Sequence, residues 1–343
     1  MGYTLKLDIF YFSLRKITKE VPRKIRGGGG AMRIGYLTEK EDIKFSQLFA
    51  GLYKTTDVDD GFKSFLAEFV TKFGNEFKRN TENTQAVSVS DDQMKEFNSA
   101  NHTIWGQFKG GPTGIEQEIY YSNDSKIKKD TIDKDNVASL HYYYKLWIPY
   151  DSNVGVLMLQ SYTTTGCSTL YRRVLDDFFI SHGYKADWAK CIPREYIKKY
   201  ISNCYIYAIK ILTKRKLNTT SFEPLFESFK SAKQFKYIER IRLSVQKLMS
   251  LGNYISVLKS EIAAIDASFD TDNDDLLLFY KDNDGKRAHA TLSHMEDILP
   301  NIILDDSLKD PITQTPKWNE LHTFTNNLLD RIKSEISYTP KLK

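Results

Sequence analysis

Residues Ser139 to Ile148 read SLHYYYKLWI, and residues Val154 to Tyr162 read VGVLMLQSY. Both segments are rich in the aromatic and aliphatic residues that favour strands. The five residues between them, Pro-Tyr-Asp-Ser-Asn, are typical of a turn. The pattern predicts a hairpin. Its second strand is apolar on both faces over Val156-Leu157-Met158-Leu159, which predicts a position in the centre of a sheet.

Two more pairs of apolar segments have the same form. One pairs Thr103–Lys109 with Ile115–Ser122 across Gly110–Gly114, a segment rich in turn residues. The other pairs Leu276–Tyr280 with Ala288–Leu292 across an Asp-Gly dipeptide, which is a strong hairpin signal. Both are predicted to be antiparallel hairpins.

Segments with helical periodicity alternate with these strands. Lys44–Arg79, Ser168–His182 and Trp318–Ile336 each place apolar residues on one face, which predicts amphipathic helices. Tyr3–Arg15 is predicted to be a strand, and the polar segment Asn123–Asp135 a loop. Hairpins interleaved with helices predict an α+β fold of antiparallel sheets flanked by helices, not a parallel doubly wound sheet.

A chain of 343 residues has room for two domains. We expect an N-terminal α+β domain over residues 1–192 and a C-terminal α+β domain over residues 193–343, with basic strands and the terminal helix. The apolar stripe of that helix either closes the core or pairs with a second subunit. The run Gly27–Gly30 is predicted to be a flexible loop, either a hairpin tip or an engineered linker before Met32.

Composition narrows the class of protein. Three cysteines without a Cys-x-x-Cys pair argue against a zinc ribbon and predict a reducing compartment, so a cytoplasmic location is expected. No run approaches about 20 apolar residues, so no membrane span is predicted. The net charge of +5 is compatible with an anionic partner but does not require one.

Metal chemistry has one candidate. The acidic stretch Asp270–Asp275 resembles the start of a calcium loop, but its sixth position is Asp275 instead of glycine and its twelfth is Lys281 instead of glutamate. Asp275, Asp284 and Lys286 could form the Asp and Asp-x-Lys set of a metal-dependent nuclease. Because Asp284 lies at a predicted hairpin tip, turn geometry already explains it. No cofactor is predicted.

Basic residues give the strongest functional pattern. They lie on and between two predicted strands, Tyr205–Lys216 and Tyr237–Gln246, where cations alternate with apolar residues. If these strands are neighbours, they form a sheet with an apolar inner face and a cationic outer face, which would neutralise phosphates without reading sequence. The alternative is a solvated face whose charges prevent edge pairing. The candidate nucleic-acid contacts are Lys210, Lys214, Lys216, Lys230, Lys233, Lys236, Arg240 and Arg242.

Residues Tyr142 to Phe179 combine an aromatic strand, the Pro-Tyr-Asp-Ser-Asn turn, a buried strand, a polar turn with Gly166, and a helix that ends at Phe178-Phe179. This pattern of about 40 residues resembles bacterial phage-defence proteins. The order of elements is similar to that of phage-exclusion proteins of the RexA type. The resemblance implies a DNA-binding, dimeric defence component that acts with a protein partner. No catalytic residue is carried over, because none matches.

Three hypotheses follow. The first is a non-enzymatic nucleic-acid-binding protein, for which retention on DNA or RNA should depend steeply on salt. The second is a metal-dependent nuclease, which would require divalent-metal-dependent cleavage. The third is a protein-interaction or sensor module, whose binding should be insensitive to salt.

Overall fold

A computed structural model describes residues 3–24, 32–53, 58–74, 76–89, 94–98, 101–121, 123–163, 165–196, 205–212, 238–241, 275–281, 287–291 and 301–338. The chain divides into two compact units. One comprises Met1–Cys191 and Asn301–Lys343, and the other comprises Ile192–Pro300. Antiparallel sheets pack with helices, so the predicted α+β class is confirmed.

The strands are short except for the first. In chain order they are β1 (Leu5–Lys24), β2 (Met32–Thr38), β3 (Lys78–Arg79), β4 (Gln85–Ser88), β5 (Met94–Asn98), β6 (Thr103–Pro112), β7 (Gln117–Tyr121), β8 (Asp124–Ile132), β9 (Leu140–Trp147), β10 (Gly155–Tyr162), β11 (Tyr184–Lys190), β12 (Tyr205–Leu212), β13 (Ile238–Ile241), β14 (Asp275–Lys281), β15 (Arg287–Thr291) and β16 (Ile302–Ile303). The helices within the described ranges are α1 (Phe45–Tyr53), α2 (Val58–Phe73), α3 (Ser168–Ser181) and α4 (Trp318–Glu335).

A ten-stranded sheet organises the first unit. Its main order is β11-β1-β10-β9-β6-β4-β3, while β2 and β16 pair with β1 and β5 pairs with β6. The predicted β9–β10 hairpin is confirmed, with Trp147 opposite Val156. Every residue of β10 is buried, as its apolar sequence predicts for a central strand.

Helices cover this sheet on both faces, which explains why three consecutive tyrosines of β9 are fully buried. Tyr144 contacts the rings of Phe69 on α2 and Tyr171 on α3. Its neighbour Tyr143 faces the other way, with its hydroxyl 2.7 Å from Thr325 Oγ1 on α4. The terminal helix, grouped above with residues 193–343, therefore packs on the first sheet and closes its core.

The predicted helix over Lys44–Arg79 is two helices, α1 and α2, followed by β3. Its apolar residues are placed as the periodicity indicates, because Phe62, Phe65 and Phe69 are fully buried. Their rings stack along α2, with centroids of Phe65 and Phe69 6.3 Å apart. The sequence explains why one continuous helix is not expected here: residues 54–57 are Lys-Thr-Thr-Asp and contain no apolar residue that could continue the buried face.

The predicted hairpin between Thr103–Lys109 and Ile115–Ser122 is wrong. Strand β6 pairs with β9, β4 and β5, whereas β7 pairs with β8, which lies in the segment predicted to be a loop. Gly110 and Gly111 lie within β6, and both need to be glycine because neighbouring parts of the chain pass too close for a side chain. A Cβ atom at Gly111 would lie 2.0 Å from the carbonyl oxygen of Ala138. The glycines mark a close approach of two backbones and not a turn.

The second unit contains a four-stranded antiparallel sheet in the order β13-β12-β14-β15. The predicted hairpin between β14 and β15 is confirmed, with Leu277 opposite Thr291. Across the parts of the chain that the structure describes, no helix has the length and apolar character needed to cross a membrane.

Candidate nucleic-acid interface

The two predicted basic strands are neighbours. Strand β12 pairs antiparallel with β13, and Lys210 lies directly opposite Arg240. Directly opposed residues of an antiparallel pair share one face of the sheet. Ile209 opposes Ile241 on the other face, where Leu278 of β14 continues the apolar row. The backbone thus brings Lys210 and Arg240 together on one face, in the arrangement that the alternation predicts.

The remaining predicted cations, Lys214, Lys216, Lys230, Lys233, Lys236 and Arg242, lie outside the described residues. So do Asp284 and Lys286 of the nuclease alternative, in the segment that joins β14 to β15. Asp275 is the first residue of β14 and lies opposite Leu212. Among the residues that the structure describes, no group of three or more His, Cys, Asp or Glu side chains could hold a metal ion.

The first unit contains a second cationic element, which the sequence patterns above do not predict. Strand β1 does not end near Arg15 as predicted but continues to Lys24. Seven of its last eight residues pair with β2, from Ile17↔Thr38 to Lys24↔Met32, and the register shifts between Ile17 and Lys19. We call residues 17–24 of β1 together with β2 the ribbon. The pattern that could have revealed it is the return of apolar residues at Met32, Ile34 and Tyr36 after the glycine run.

The basic charge of the chain is concentrated around these two elements. Residues 16–33 contain six lysines and arginines against one glutamate, and residues 205–246 contain nine against three. The two segments therefore carry net charges of +5 and +6, whereas the whole chain carries only +5. The rest of the chain is net negative, so the positive charge is not spread evenly for solubility.

The base of the ribbon is fixed to the sheet. The amide of Ile17 donates to the carbonyl of Gly183 at 2.8 Å, and the amide of Glu39 donates to the carbonyl of Lys16 at 2.9 Å. Arg15 forms ion pairs with Asp42 and Asp187, so its charge is already balanced. By contrast, Lys16 and Lys19 are exposed, and neither forms an ion pair with another described residue.

A buried polar cluster lies between β9 and α4. Lys145 is 1 % exposed and donates to Oδ1 of Asn326. The ring of His322 stacks on Trp105 at 3.8 Å between centroids, and its Nδ1 lies 3.2 Å from the Tyr143 hydroxyl. Because these polar groups of β9 and α4 contact one another, the cluster is best explained as the attachment of α4 to the sheet.

Another group of charges surrounds α3. Burial raises the pKa of Asp176 to about 6, although Trp188 Nε1 donates to its Oδ1 at 2.6 Å and opposes that shift. Burial also raises the pKa of Asp8, which accepts from the Ser168 hydroxyl at 2.7 Å. The guanidinium of Arg172 lies 4.1 Å from the centroid of Phe10. Asp8, Asp176 and Arg172 each contact a neighbouring side chain of the protein, which explains these charges as part of the packing of α3.

A cleft of about 530 Å³ lies beside the end of α4, lined by Tyr11, the turn at residues 151–154 and residues 336–338. The hydroxyl of Tyr338 donates to Asp151 Oδ1 at 2.7 Å, which joins the two sides of the cleft. Burial, and then this carboxylate, raises the pKa of Tyr338. The charged residue in this lining is Asp151, and a carboxylate repels a ligand phosphate.

Comparison with known proteins adds no family to this picture: no family model matches the chain, and no curated protein matches it.

Proposed function

We propose that this protein binds nucleic acid without sequence preference and acts as one component of a bacterial anti-phage defence system. The observation that carries the binding proposal is the register of β12 and β13, which places Lys210 opposite Arg240 on one face of an antiparallel sheet. Cations on one face of a sheet can contact backbone phosphates, and such contacts carry no sequence information. The defence role rests on the resemblance of residues 142–179.

Charge distribution supports binding over simple solvation. A sheet face that only needs to stay soluble can carry either sign of charge. Residues 205–246 instead carry nine cations against three carboxylates within a chain that is otherwise net negative. Such a one-sided field attracts polyanions and increases their rate of association.

Binding is tested by fluorescence anisotropy with a labelled duplex DNA, a single-stranded DNA and a single-stranded RNA over a range of salt concentrations. We expect binding in the wild type that weakens steeply with salt. Lys210→Gln with Arg240→Gln should reduce the slope of log K against log salt by about 2, because each lost phosphate contact removes about 0.9. The control is Lys129→Gln with Lys134→Gln, which removes the same charge from exposed positions of the first unit.

Absence of binding to all three probes at low salt would refute the proposal and favour a protein-interaction module. Cleavage of a probe that requires Mg²⁺ would favour the nuclease alternative. The defence role is tested separately, by plating phage on cells that express the chain with the products of its neighbouring genes. There we expect fewer plaques with the wild type than with the Lys210→Gln, Arg240→Gln variant.

A further inference from the structure

We propose that the ribbon enters the major groove of duplex DNA. This inference rests on the proposed nucleic-acid binding and specifies its substrate, but a different part of the molecule carries it. The four-stranded sheet belongs to residues 192–300, whereas the ribbon belongs to the first unit. The two elements are therefore tested with separate substitutions.

The dimensions of the ribbon fit a groove. From Ile17 to Lys24, β1 advances about 23 Å at 3.3 Å per residue. Over that length its strand partner among the described residues is β2, whereas residues 5–16 pair with β10 and β11 inside the sheet. A two-stranded ribbon is narrow enough for the major groove of B-form DNA, which is about 12 Å wide and about 8.5 Å deep.

The ribbon is a continuation of a buried strand and not an isolated hairpin. Leu7, Phe12 and Leu14 of the same strand are almost completely buried in the core of the first unit. The attachment through Ile17 and Glu39 fixes the direction in which the ribbon leaves the sheet. A two-stranded hairpin alone is marginally stable in water, so this anchorage is what makes an extended arm possible.

Charge complementarity identifies the partner. Lys16 precedes the ribbon, and Lys19, Arg23, Lys24 and Arg33 lie within it, against the single carboxylate Glu20. The register places Arg23 directly opposite Arg33 in the strand pair. A strand pair with this excess of cations attracts a polyanion, and duplex DNA carries one negative charge about every 1.7 Å along its axis.

Apolar residues on the ribbon support contact with base edges. Ile34 is 61 % exposed and Leu37 is 46 % exposed. Apolar side chains in the major groove can contact the C5-methyl group of thymine, whereas contacts of the cations with phosphates carry no sequence information. The major groove of duplex RNA is deep and too narrow for side chains to enter, so the ribbon should prefer DNA.

Two variants test the ribbon. The first is Lys16→Gln, Lys19→Gln, Arg23→Gln, with Lys63→Gln, Lys129→Gln, Lys134→Gln as a control of equal charge. The second replaces residues 18–37 by Asn-Gly, a dipeptide that closes two-residue hairpins, because Ile17 and Thr38 already face each other in the register. Both variants and the control are compared with the wild type by thermal unfolding and by sedimentation, so that loss of fold or of self-association is detected.

We expect both ribbon variants to bind duplex DNA about tenfold more weakly or worse, and the control to bind like the wild type. Methyl green, which occupies the major groove, should compete with the wild type, and netropsin, which occupies the minor groove, should not. Duplex RNA of the same sequence should bind more weakly than duplex DNA.

The inference is overturned if the wild type binds duplex DNA and both folded ribbon variants bind it equally well; the proposed function then stands on the four-stranded sheet. It is also overturned if the variants lose affinity only because a dimer becomes a monomer, which would assign the ribbon to self-association. Failure of the wild type to bind any nucleic acid would refute the proposed function and this inference together.

Discussion

The ammonium group of Lys145 in the centre of the ten-stranded sheet donates a hydrogen bond to the side-chain carbonyl of Asn326 on the terminal helix. The two residues are 181 positions apart in the chain. Lys145 is 1 % exposed, and a buried ammonium is stable only when polar groups replace its lost water. The contact therefore ties the end of the chain to the core of the first unit.

Replacement of Asn326 by leucine should destabilise the protein by about 2–3 kcal/mol, because it removes an acceptor from a buried charged donor. The matched control is Asn327→Leu, on the exposed side of the same helix, which should change the free energy of unfolding by less than about 0.5 kcal/mol. Urea unfolding followed by circular dichroism measures both. Equal effects of the two substitutions would contradict the role assigned to Lys145.

The same contact shows why the sequence predicts some features and not others. The β9–β10 hairpin was predictable because its strands and turn are local, within residues 139–162. The burial of Lys145 was not, because a lysine between apolar residues in a strand is typical of a face exposed to solvent. Only the packing of α4, far away in the chain, covers that face and makes the lysine part of the core.

The candidate interface divides in the same way. The alternation of charged and apolar residues on β12 is visible in the sequence. The register with β13 agrees with that alternation, because it places Lys210 opposite Arg240. The ribbon was not recognised, because the charges after Arg15 interrupt the apolar alternation that marks a buried strand. A strand that extends beyond the sheet has no buried face to show in its sequence. Its partner β2 also lies beyond the glycine run, which obscured the pairing.

Gly111 offers a test of the corrected position of β6. Replacement of Gly111 by alanine should destabilise the protein by about 2 kcal/mol or more, because the new Cβ atom would lie 2.0 Å from the Ala138 carbonyl oxygen and backbone must move. Gly51 in α1 is the matched control, since a Cβ atom there meets only the Tyr184 hydroxyl at 3.4 Å. Gly51→Ala should stabilise the protein by about 0.5 kcal/mol, because alanine favours helix more than glycine. If Gly111→Ala left the free energy of unfolding unchanged, the close approach of β6 to Ala138 would be contradicted and the turn predicted at residues 110–114 would be favoured.

The buried thiols should be unreactive in the folded protein. Burial raises the pKa of Cys167 to about 11 and that of Cys191 to about 12, so almost no thiolate is present near pH 8. In a Cys204→Ser background, modification by a thiol reagent should be much slower in buffer than in urea. A rate in buffer close to the rate in urea would show that one of these thiols is open to solvent.

Asp176 should make the protein less stable as the pH rises. Its pKa is about 6 in the folded protein against an ordinary value of 3.8, so the native state holds the proton more tightly than the unfolded state. This contribution to stability is fully present below about pH 4 and is lost as the pH rises through 6.

Asp176→Asn keeps an oxygen that can accept from Trp188 and imitates the protonated acid. We expect the variant to match the wild type near pH 4 and to be more stable at pH 7 by up to about 3 kcal/mol, because each unit of pKa difference is about 1.4 kcal/mol. Asp330→Asn, at an exposed position of α4, serves as the control and should show no such divergence. Unfolding by urea at a series of pH values measures the difference, and a constant offset between Asp176→Asn and the wild type across that range would show that this carboxyl group is not protonated on folding.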